Sequence, residues 1–104
     1  MPLEYTLIHF EKKFRLLAIT YSNKVQIVKI LQHSTKIMTT IEKPSFLQGE
    51  YQPIISWGEG YFKQTHKNSL LLMIIWNKII YLLKVTLFDD ELEFHKAAYM
   101  ALND

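Results

Sequence analysis

The feature that most constrains the fold is an apolar stretch of nineteen residues, 69–87, with a polar pair, Asn77 and Lys78, near its centre. A membrane-spanning helix has about this length, but a lysine at mid-membrane costs at least about 2.5 kcal/mol. A β-hairpin avoids that cost, because a turn at Trp76-Asn77-Lys78 leaves Lys78 in water between two strand-length apolar arms. We therefore predict a hairpin, with a small membrane protein as the alternative.

An earlier segment, 16–28, repeats this layout: an apolar run, Asn23 and Lys24, then a second apolar run. A shift of 54 positions superposes Leu16 on Leu70 and Asn23 on Asn77 without a gap. Gln26 and Lys29 make the second arm more polar than a membrane helix tolerates. The repeat therefore predicts two hairpins.

The rest of the chain predicts further strands and two connecting loops. A β-branched run at 35–41 places Ile37, Thr39 and Ile41 on one face of a strand. Pro44, Gly49 and Pro53 indicate a loop. In chain order the predicted elements are a strand at 4–10, hairpin arms at 14–21 and 24–31, a strand at 35–41, a loop at 42–53, a strand at 54–57, a polar loop at 61–68 and the second hairpin at 69–87.

Residues 91–102 allow two interpretations. Acidic residues followed by apolar ones at helical spacing favour a helix by local propensity. The same place after the first hairpin holds a predicted strand, so the repeat favours a strand here, which is the interpretation we prefer.

The predicted fold class is all-β: antiparallel β-meander sheets of about four strands each, the size of two WD40-like propeller blades. The single unit 1–104 divides into a first blade-like sheet at 1–41, a connecting loop at 42–53 and a second blade-like sheet at 54–104. Two blades do not close a ring. The chain is then either a piece of a larger propeller or two sheets packed face to face, and an isolated piece would self-associate through exposed strand edges and apolar faces.

Composition limits the class of function. The 104 residues are 49% apolar and 13% aromatic, which is typical of one small globular domain. A net charge of +2 argues against a strongly basic nucleic-acid-binding domain. The absence of cysteine excludes disulfides and thiolate metal sites. The first residues lack a secretory signal pattern, so a cytoplasmic location is predicted.

An ordered set of segments carries a resemblance to a known family. These segments are Leu16-Leu17-Ala18-Ile19, Asn23-Lys24-Val25-Gln26-Ile27-Val28, Glu42-Lys43-Pro44, Pro53-Ile54-Ile55-Ser56-Trp57-Gly58, Leu70-Leu71-Leu72 and 76–85. Over residues 14–85 the chain resembles the N-terminal β-propeller of the vacuolar protein sorting subunit eight family, whose members belong to the endosomal tethering complex CORVET. The resemblance implies vesicle tethering in endosome and vacuole protein transport, with a Rab GTPase and other tethering subunits as partners and a peripheral place on the endosomal or vacuolar membrane. It identifies no individual binding residue.

Residues that could carry chemistry do not form a recognisable motif. We predict no catalytic, metal or cofactor-binding residue, no small-molecule substrate and no enzymatic activity. The four histidines are too scattered for a metal site, the acidic cluster lacks EF-hand spacing, Ser56 lacks the first glycine of a nucleophile elbow, and the glycine pair lacks the rest of a phosphate-binding loop. The residues concerned are His9, His33, His66 and His95; Asp89, Asp90, Glu91 and Glu93; Ser56-Trp57-Gly58; and Gly58-Glu59-Gly60.

The preferred function is a non-enzymatic protein-protein interaction scaffold that binds partners through its loops 43–52 and 58–68. Trp57 and Trp76 are interpreted as core or inter-blade residues, with an interface role as the alternative. The alternative function is a small β-rich nucleic-acid-binding protein. It would use the basic and aromatic residues of loop 61–67, namely Tyr61, Phe62, Lys63, His66 and Lys67.

Overall fold

A computed structural model describes residues 5–49, 51–58 and 69–102. These residues form strands and turns only, which confirms the all-β class. The strands are β1 (Tyr5–Glu11), β2 (Leu16–Tyr21), β3 (Lys24–Ile30), β4 (Thr35–Glu42), β5 (Ile54–Gly58), β6 (Ser69–Trp76), β7 (Ile79–Phe88) and β8 (Glu91–Ala101).

The strands form two four-stranded antiparallel meanders, β1-β2-β3-β4 and β5-β6-β7-β8, here called sheet 1 and sheet 2. The chain divides into two compact units between Pro53 and Ile54, and each unit holds one sheet. The segment 91–102, for which helix and strand were both possible, forms β8 over most of its length. Pairing with β7 therefore overrides its local helix propensity.

The predicted hairpin in residues 69–87 is confirmed. Trp76 pairs with Ile79, so the turn consists of Asn77 and Lys78 alone, and both turn residues are exposed. Trp76 ends β6 and is fully buried, so it belongs to the strand and not to the turn. Nothing in the described ranges forms a helix with the length and hydropathy that crossing a membrane requires.

Both hairpins have two-residue turns, but the Asn-Lys pair is placed one position later in the first hairpin than in the second. Thr20 pairs with Val25, so the turn is Ser22 and Asn23, and Lys24 already begins β3. The gapless shift of 54 positions equated Asn23 and Lys24 with the turn residues of the second hairpin. That equivalence is wrong by one position, because strand pairing and not residue identity fixes where the chain reverses.

Each sheet has a bulge between its third and fourth strands. In sheet 1 the pairing shifts between Ile27 and Val28 and leaves Met38 of β4 as the extra residue. In sheet 2 it shifts between Leu82 and Leu83 and leaves Ala97 of β8 as the extra residue. The two bulges lie 55 positions apart in the third strands, like the two turns.

The bulge at Met38 corrects the prediction that Ile37, Thr39 and Ile41 share a face. Ile41 pairs with Val25 and is 6% exposed, whereas Ile37 pairs with Val28 and is 57% exposed. The extra residue reverses the side-chain alternation between Ile37 and Thr39. A period of two cannot predict such a reversal.

Both fourth strands end in the same way. The amide of Lys43, just after β4, donates to the carbonyl of Asn23 at 2.8 Å. The amide of Leu102, just after β8, donates to the carbonyl of Lys78 at 2.7 Å. Asn23 and Lys78 are each the second residue of their turn, so the two sheets share the length of the turn, the place of the bulge and the way the fourth strand ends.

Apolar side chains fill one face of each sheet, which we call its buried face. In sheet 1 this face centres on β2 and β3, and in sheet 2 on β6 and β7. The buried residues of these faces include Leu16, Ala18, Thr20, Val25, Ile27 and Ile41 in sheet 1, and Ile55, Leu70, Leu72, Ile74, Trp76, Ile79, Leu83 and Val85 in sheet 2.

Candidate functional site

The loop after β4, one of the two predicted contact loops, is fixed at both ends to the β2–β3 turn. Besides the bond from Lys43 to Asn23, the amide of Tyr51 donates to the carbonyl of Ser22 at 3.4 Å. These bonds hold the two ends of the loop beside the same turn. The loop therefore leaves sheet 1 and returns to it, and it is not an extended linker.

The first half of this loop contains a hydrogen-bonded turn that presents Phe46. The amide of Leu47 donates to the carbonyl of Pro44 at 3.0 Å, and the Lys43 Nζ donates to the carbonyl of Leu47. Proline also restricts the backbone at the start of the turn. Phe46 is the third of the four residues of this turn, and its side chain is 63% exposed.

An exposed aromatic ring on a fixed turn is suited to protein binding. Aromatic side chains are enriched in interface cores, and a few such anchors supply most of the binding energy. A turn that is already ordered loses less conformational entropy on binding than a mobile loop. The sequence predicted this loop as a contact loop but did not single out Phe46. The signal for it was an aromatic residue in an otherwise polar loop.

The second predicted contact loop, 58–68, is mostly outside the described residues. Gly58 is exposed and ends β5, and the description resumes at Ser69. The glycine pair at 58 and 60 and the basic-aromatic residues 61–67 of the nucleic-acid hypothesis fall in or beside this gap. Their roles stay predictions.

A second face of sheet 1 is also apolar. Cross-strand pairs align Phe10, Leu17, Val28 and Ile37 in one row across all four strands. Phe10 is 56% exposed and Ile37 57%, at the two edges of the row. The adjacent row adds the apolar pair Ile8 and Ile19 and continues into the polar residues Gln26 and Thr40.

Sheet 2 repeats this arrangement on its own second face. Ile54, Ile75, Ile80 and Met100 form a row across its four strands. Ile54 is 65% exposed and Met100 is also exposed. Sheets that are covered on both faces have strands that read as continuous apolar runs, and this is why 69–87 looked like a membrane helix.

The two sheets bury different faces relative to their turns. Trp76 and Ile79, which flank the turn of sheet 2, lie on its buried face. Tyr21 and Lys24, which flank the turn of sheet 1, lie on its second face, because their neighbours Thr20 and Val25 are buried. The same strand plan can bury either face because both carry apolar side chains.

One end of sheet 1 carries a cluster of basic side chains, which we call the basic end. The β1–β2 loop supplies Lys12, Lys13 and Arg15, and the paired residues Lys29 and Lys36 lie beside it. The Ile30 amide donates to the Arg15 carbonyl at 2.9 Å, and the Lys29 Nζ donates to the Phe14 carbonyl at 3.2 Å. Sequence reasoning missed this cluster, because only the meander brings together residues that are 24 positions apart.

The candidate metal ligands do not converge in the described part of the chain. Among those residues no three His, Asp or Glu side chains are close enough to hold a cation together. His33 and His95 are exposed and His9 is half-buried, while His66 is outside the described residues. His95 Nε2 lies 3.4 Å from Glu93 Oε1, and Asp89 and Asp90 form the exposed β7–β8 turn.

Ser56, Trp57 and Gly58 lie within β5 and not at a strand-to-helix turn. Ser56 is exposed and pairs with Met73, so its surroundings differ from those of a nucleophile elbow.

The two tryptophans have different environments. Trp76 is fully buried, and its indole Nε1 has no hydrogen-bond partner within the described part of the chain. Trp57 is half-buried on β5 and pairs with Leu72. The burial of Trp76 confirms its interpretation as a core residue.

Fold and surfaces define an all-β chain of two four-stranded meanders, each with a buried apolar face and a row of apolar side chains across its second face. Compared with models of known protein families, with curated proteins and with solved structures, the chain shows no significant match.

Proposed function

We propose that the chain is a non-enzymatic interaction scaffold whose sheets are propeller blades and whose ordered loops bind partner proteins. The observation that carries this proposal is Phe46, an exposed ring on a turn that is fixed to the β2–β3 turn. The resemblance to the subunit eight family suggests the setting: an endosomal tethering subunit, peripheral to the endosomal or vacuolar membrane, that binds a Rab GTPase and other tethering subunits.

The second faces support the blade interpretation. Blades of a propeller pack against their neighbours on both sides, so a blade needs two apolar faces. Sheet 1 meets this need with Phe10, Leu17, Val28 and Ile37, and sheet 2 with Ile54, Ile75, Ile80 and Met100. We propose further blade-like sheets as the occupants of these faces.

The test is a binding assay with purified components. The immobilised chain is exposed to a Rab GTPase in its GTP-bound form and to each tethering-complex subunit. We expect at least one of them to bind, and we expect Phe46→Ser to weaken that binding about tenfold, because removing an interface anchor costs more than about 1 kcal/mol.

Phe88→Ser provides the matched control, because Phe88 is also a phenylalanine with 63% exposure but lies beside the β7–β8 turn. Binding by this variant should equal that of the wild type. Failure of every component to bind the wild type would overturn the assignment to endosomal tethering. Equal loss in both variants would overturn the role of Phe46.

A further inference from the structure

We propose that the basic end of sheet 1 docks on an anionic lipid surface. This inference concerns a surface other than Phe46 and its loop, and it does not rest on the proposed protein-binding function.

The charged side chains at this end are nearly all positive. Lys12, Lys13, Arg15 and Lys36 are exposed, and Lys29 is half-buried. Five basic residues in one cluster are within the range of about four to eight that membrane-binding basic segments contain. The whole chain carries a net charge of only +2, whereas segments 10–17 and 28–37, which build this end, hold five basic residues and one acidic residue, a net charge of +4.

The single acidic residue in the two described segments that build this end, 10–17 and 28–37, does not face outward. Glu11 is 8% exposed. Its Oε2 accepts a hydrogen bond from the Lys13 amide at 2.6 Å, and its Oε1 accepts one from the Phe14 amide at 2.8 Å. The carboxylate is thus used inside the β1–β2 loop, where the neighbouring Lys12 and Lys13 are exposed.

The composition of the basic end favours lipid over a specific anion. Four of its five cations are lysines, which act as point charges and lack the planar fork by which arginine grips one carboxylate or phosphate. They are spread over a β1–β2 loop and a strand pair instead of converging in a pocket. Such an arrangement fits the diffuse negative charge of a headgroup layer.

An apolar side chain distinguishes a bilayer from a nucleic acid. Leu31 begins the β3–β4 turn and is 38% exposed, and its amide donates to the Ser34 carbonyl at 2.8 Å. It therefore projects from a closed turn at the same end as the lysines. Apolar side chains next to basic ones enter the interfacial region of a membrane, whereas a phosphate backbone offers them no matching contact.

Vesicle flotation with the full chain tests this inference. One set of vesicles is phosphatidylcholine alone, and the other contains about one third phosphatidylserine. We expect binding to the anionic vesicles only, and loss of that binding when salt rises from about 0.05 M to about 0.5 M, because added ions screen exposed charges. Lys12→Gln with Lys36→Gln should weaken binding about 25-fold, since each lysine near an anionic surface contributes about fivefold.

Lys24→Gln with Lys78→Gln is the matched control. It removes the same charge from the start of β3 and from the β6–β7 turn, and it should leave vesicle binding within about twofold of the wild type. Leu31→Ser should weaken binding a further few-fold at low salt. Phe46→Ser should not change it, which separates this result from the test of partner binding.

Three results would overturn the inference. Equal flotation with neutral vesicles would show that charge does not drive binding. Equal loss in both double variants would show that net charge matters and the basic end does not. Tight, salt-dependent binding of a mixed-sequence oligonucleotide without vesicle binding would assign the cluster to nucleic acid instead.

Discussion

At the scale of single residues, backbone conformation separates Arg15 from the other turn residues. Asn77, Asp89 and Asp90 have φ of 53°, 51° and 63°, and Asn and Asp tolerate this left-handed region. Arg15 has φ of 59° at the end of the β1–β2 loop. An arginine there carries the steric cost of its Cβ, about 1 kcal/mol.

Arg15→Gly should therefore raise the free energy of unfolding by up to about 1 kcal/mol, because glycine occupies this region without the Cβ clash. The gain will be reduced by the larger backbone entropy of glycine in the unfolded chain. Urea titration followed by tryptophan fluorescence measures the change. Arg15→Ala is the control: it removes the same charge and keeps the clash, so a gain of equal size there would contradict the explanation.

The burial of Tyr81 predicts that the free energy of unfolding falls as pH rises in the alkaline range. Its ring lies edge-on to Tyr99, with centroids 6.1 Å apart, and Lys96 Nζ lies 5.9 Å from its centroid. Burial raises the pKa of Tyr81 above its usual value of 10.0. The unfolded chain then loses this proton at lower pH than the folded chain. The contribution to stability is complete below about pH 10 and is lost as pH rises through the folded-state pKa.

Tyr81→Phe should accordingly show a smaller fall in urea midpoint than the wild type between about pH 9 and about pH 11. The difference between the two proteins at about pH 7 gives the cost of removing the hydroxyl itself. Parallel declines in the two proteins would show that other groups cause the alkaline loss.

At the scale of elements, strand pairing decides what the sequence repeat left open. The two hairpins share an Asn-Lys pair, yet this pair occupies both turn positions only in sheet 2. Asn77 is the first residue of its turn and has positive φ, whereas Asn23 is the second residue of its turn and does not. Residue identity and structural role therefore differ by one position.

Alanine substitutions test this difference directly. Asn77→Ala should lower the free energy of unfolding by about 1 kcal/mol, because alanine fits the left-handed region poorly. Asn23→Ala should cost only a few tenths of a kcal/mol, since its backbone needs no such conformation. Equilibrium unfolding in urea gives both values. Equal costs would mean that the two asparagines have the same role and that the one-residue offset has no energetic consequence.

At the scale of the whole molecule, the second faces predict self-association. Phe10, Ile37 and Ile54 are all more than half exposed on rows that cross their sheets. Large apolar side chains that are exposed on the face of a sheet are typical of association sites. We expect the chain in isolation to elute above its monomer mass of 12.4 kDa, increasingly so with concentration.

The double variant Phe10→Thr and Ile37→Thr should shift the mass towards that of the monomer, as measured by size exclusion with light scattering. Its unfolding free energy should change by less than about 1 kcal/mol, because both side chains are already exposed. The control Val25→Thr alters the fully buried face and should destabilise the fold by about 1 to 3 kcal/mol without restoring a monomer. A wild-type chain that stays monomeric at all concentrations would contradict the prediction.

Much of the fold followed from local pattern. Apolar runs of strand length broken by Asn-Lys predicted β-hairpins, because a charge at mid-run fits a turn and not a membrane helix. The repeat also predicted that 91–102 would be a strand, against its own helix propensity. The connecting loop at 42–53 was predicted from its prolines and glycine.

Three features depended on the tertiary structure. The bulge at Met38 moves Ile37 to the opposite face. The alternation of residue types along the sequence does not reveal where a strand holds an extra, unpaired residue. The basic end joins residues 12–15 with Lys29 and Lys36, which only the β2–β3 and β3–β4 reversals bring together. The choice of which apolar face is buried also lay beyond the sequence, because both faces are apolar and only packing distinguishes them. The sequence by itself thus determined that the chain forms β-hairpins, while strand register determined which side chains meet solvent.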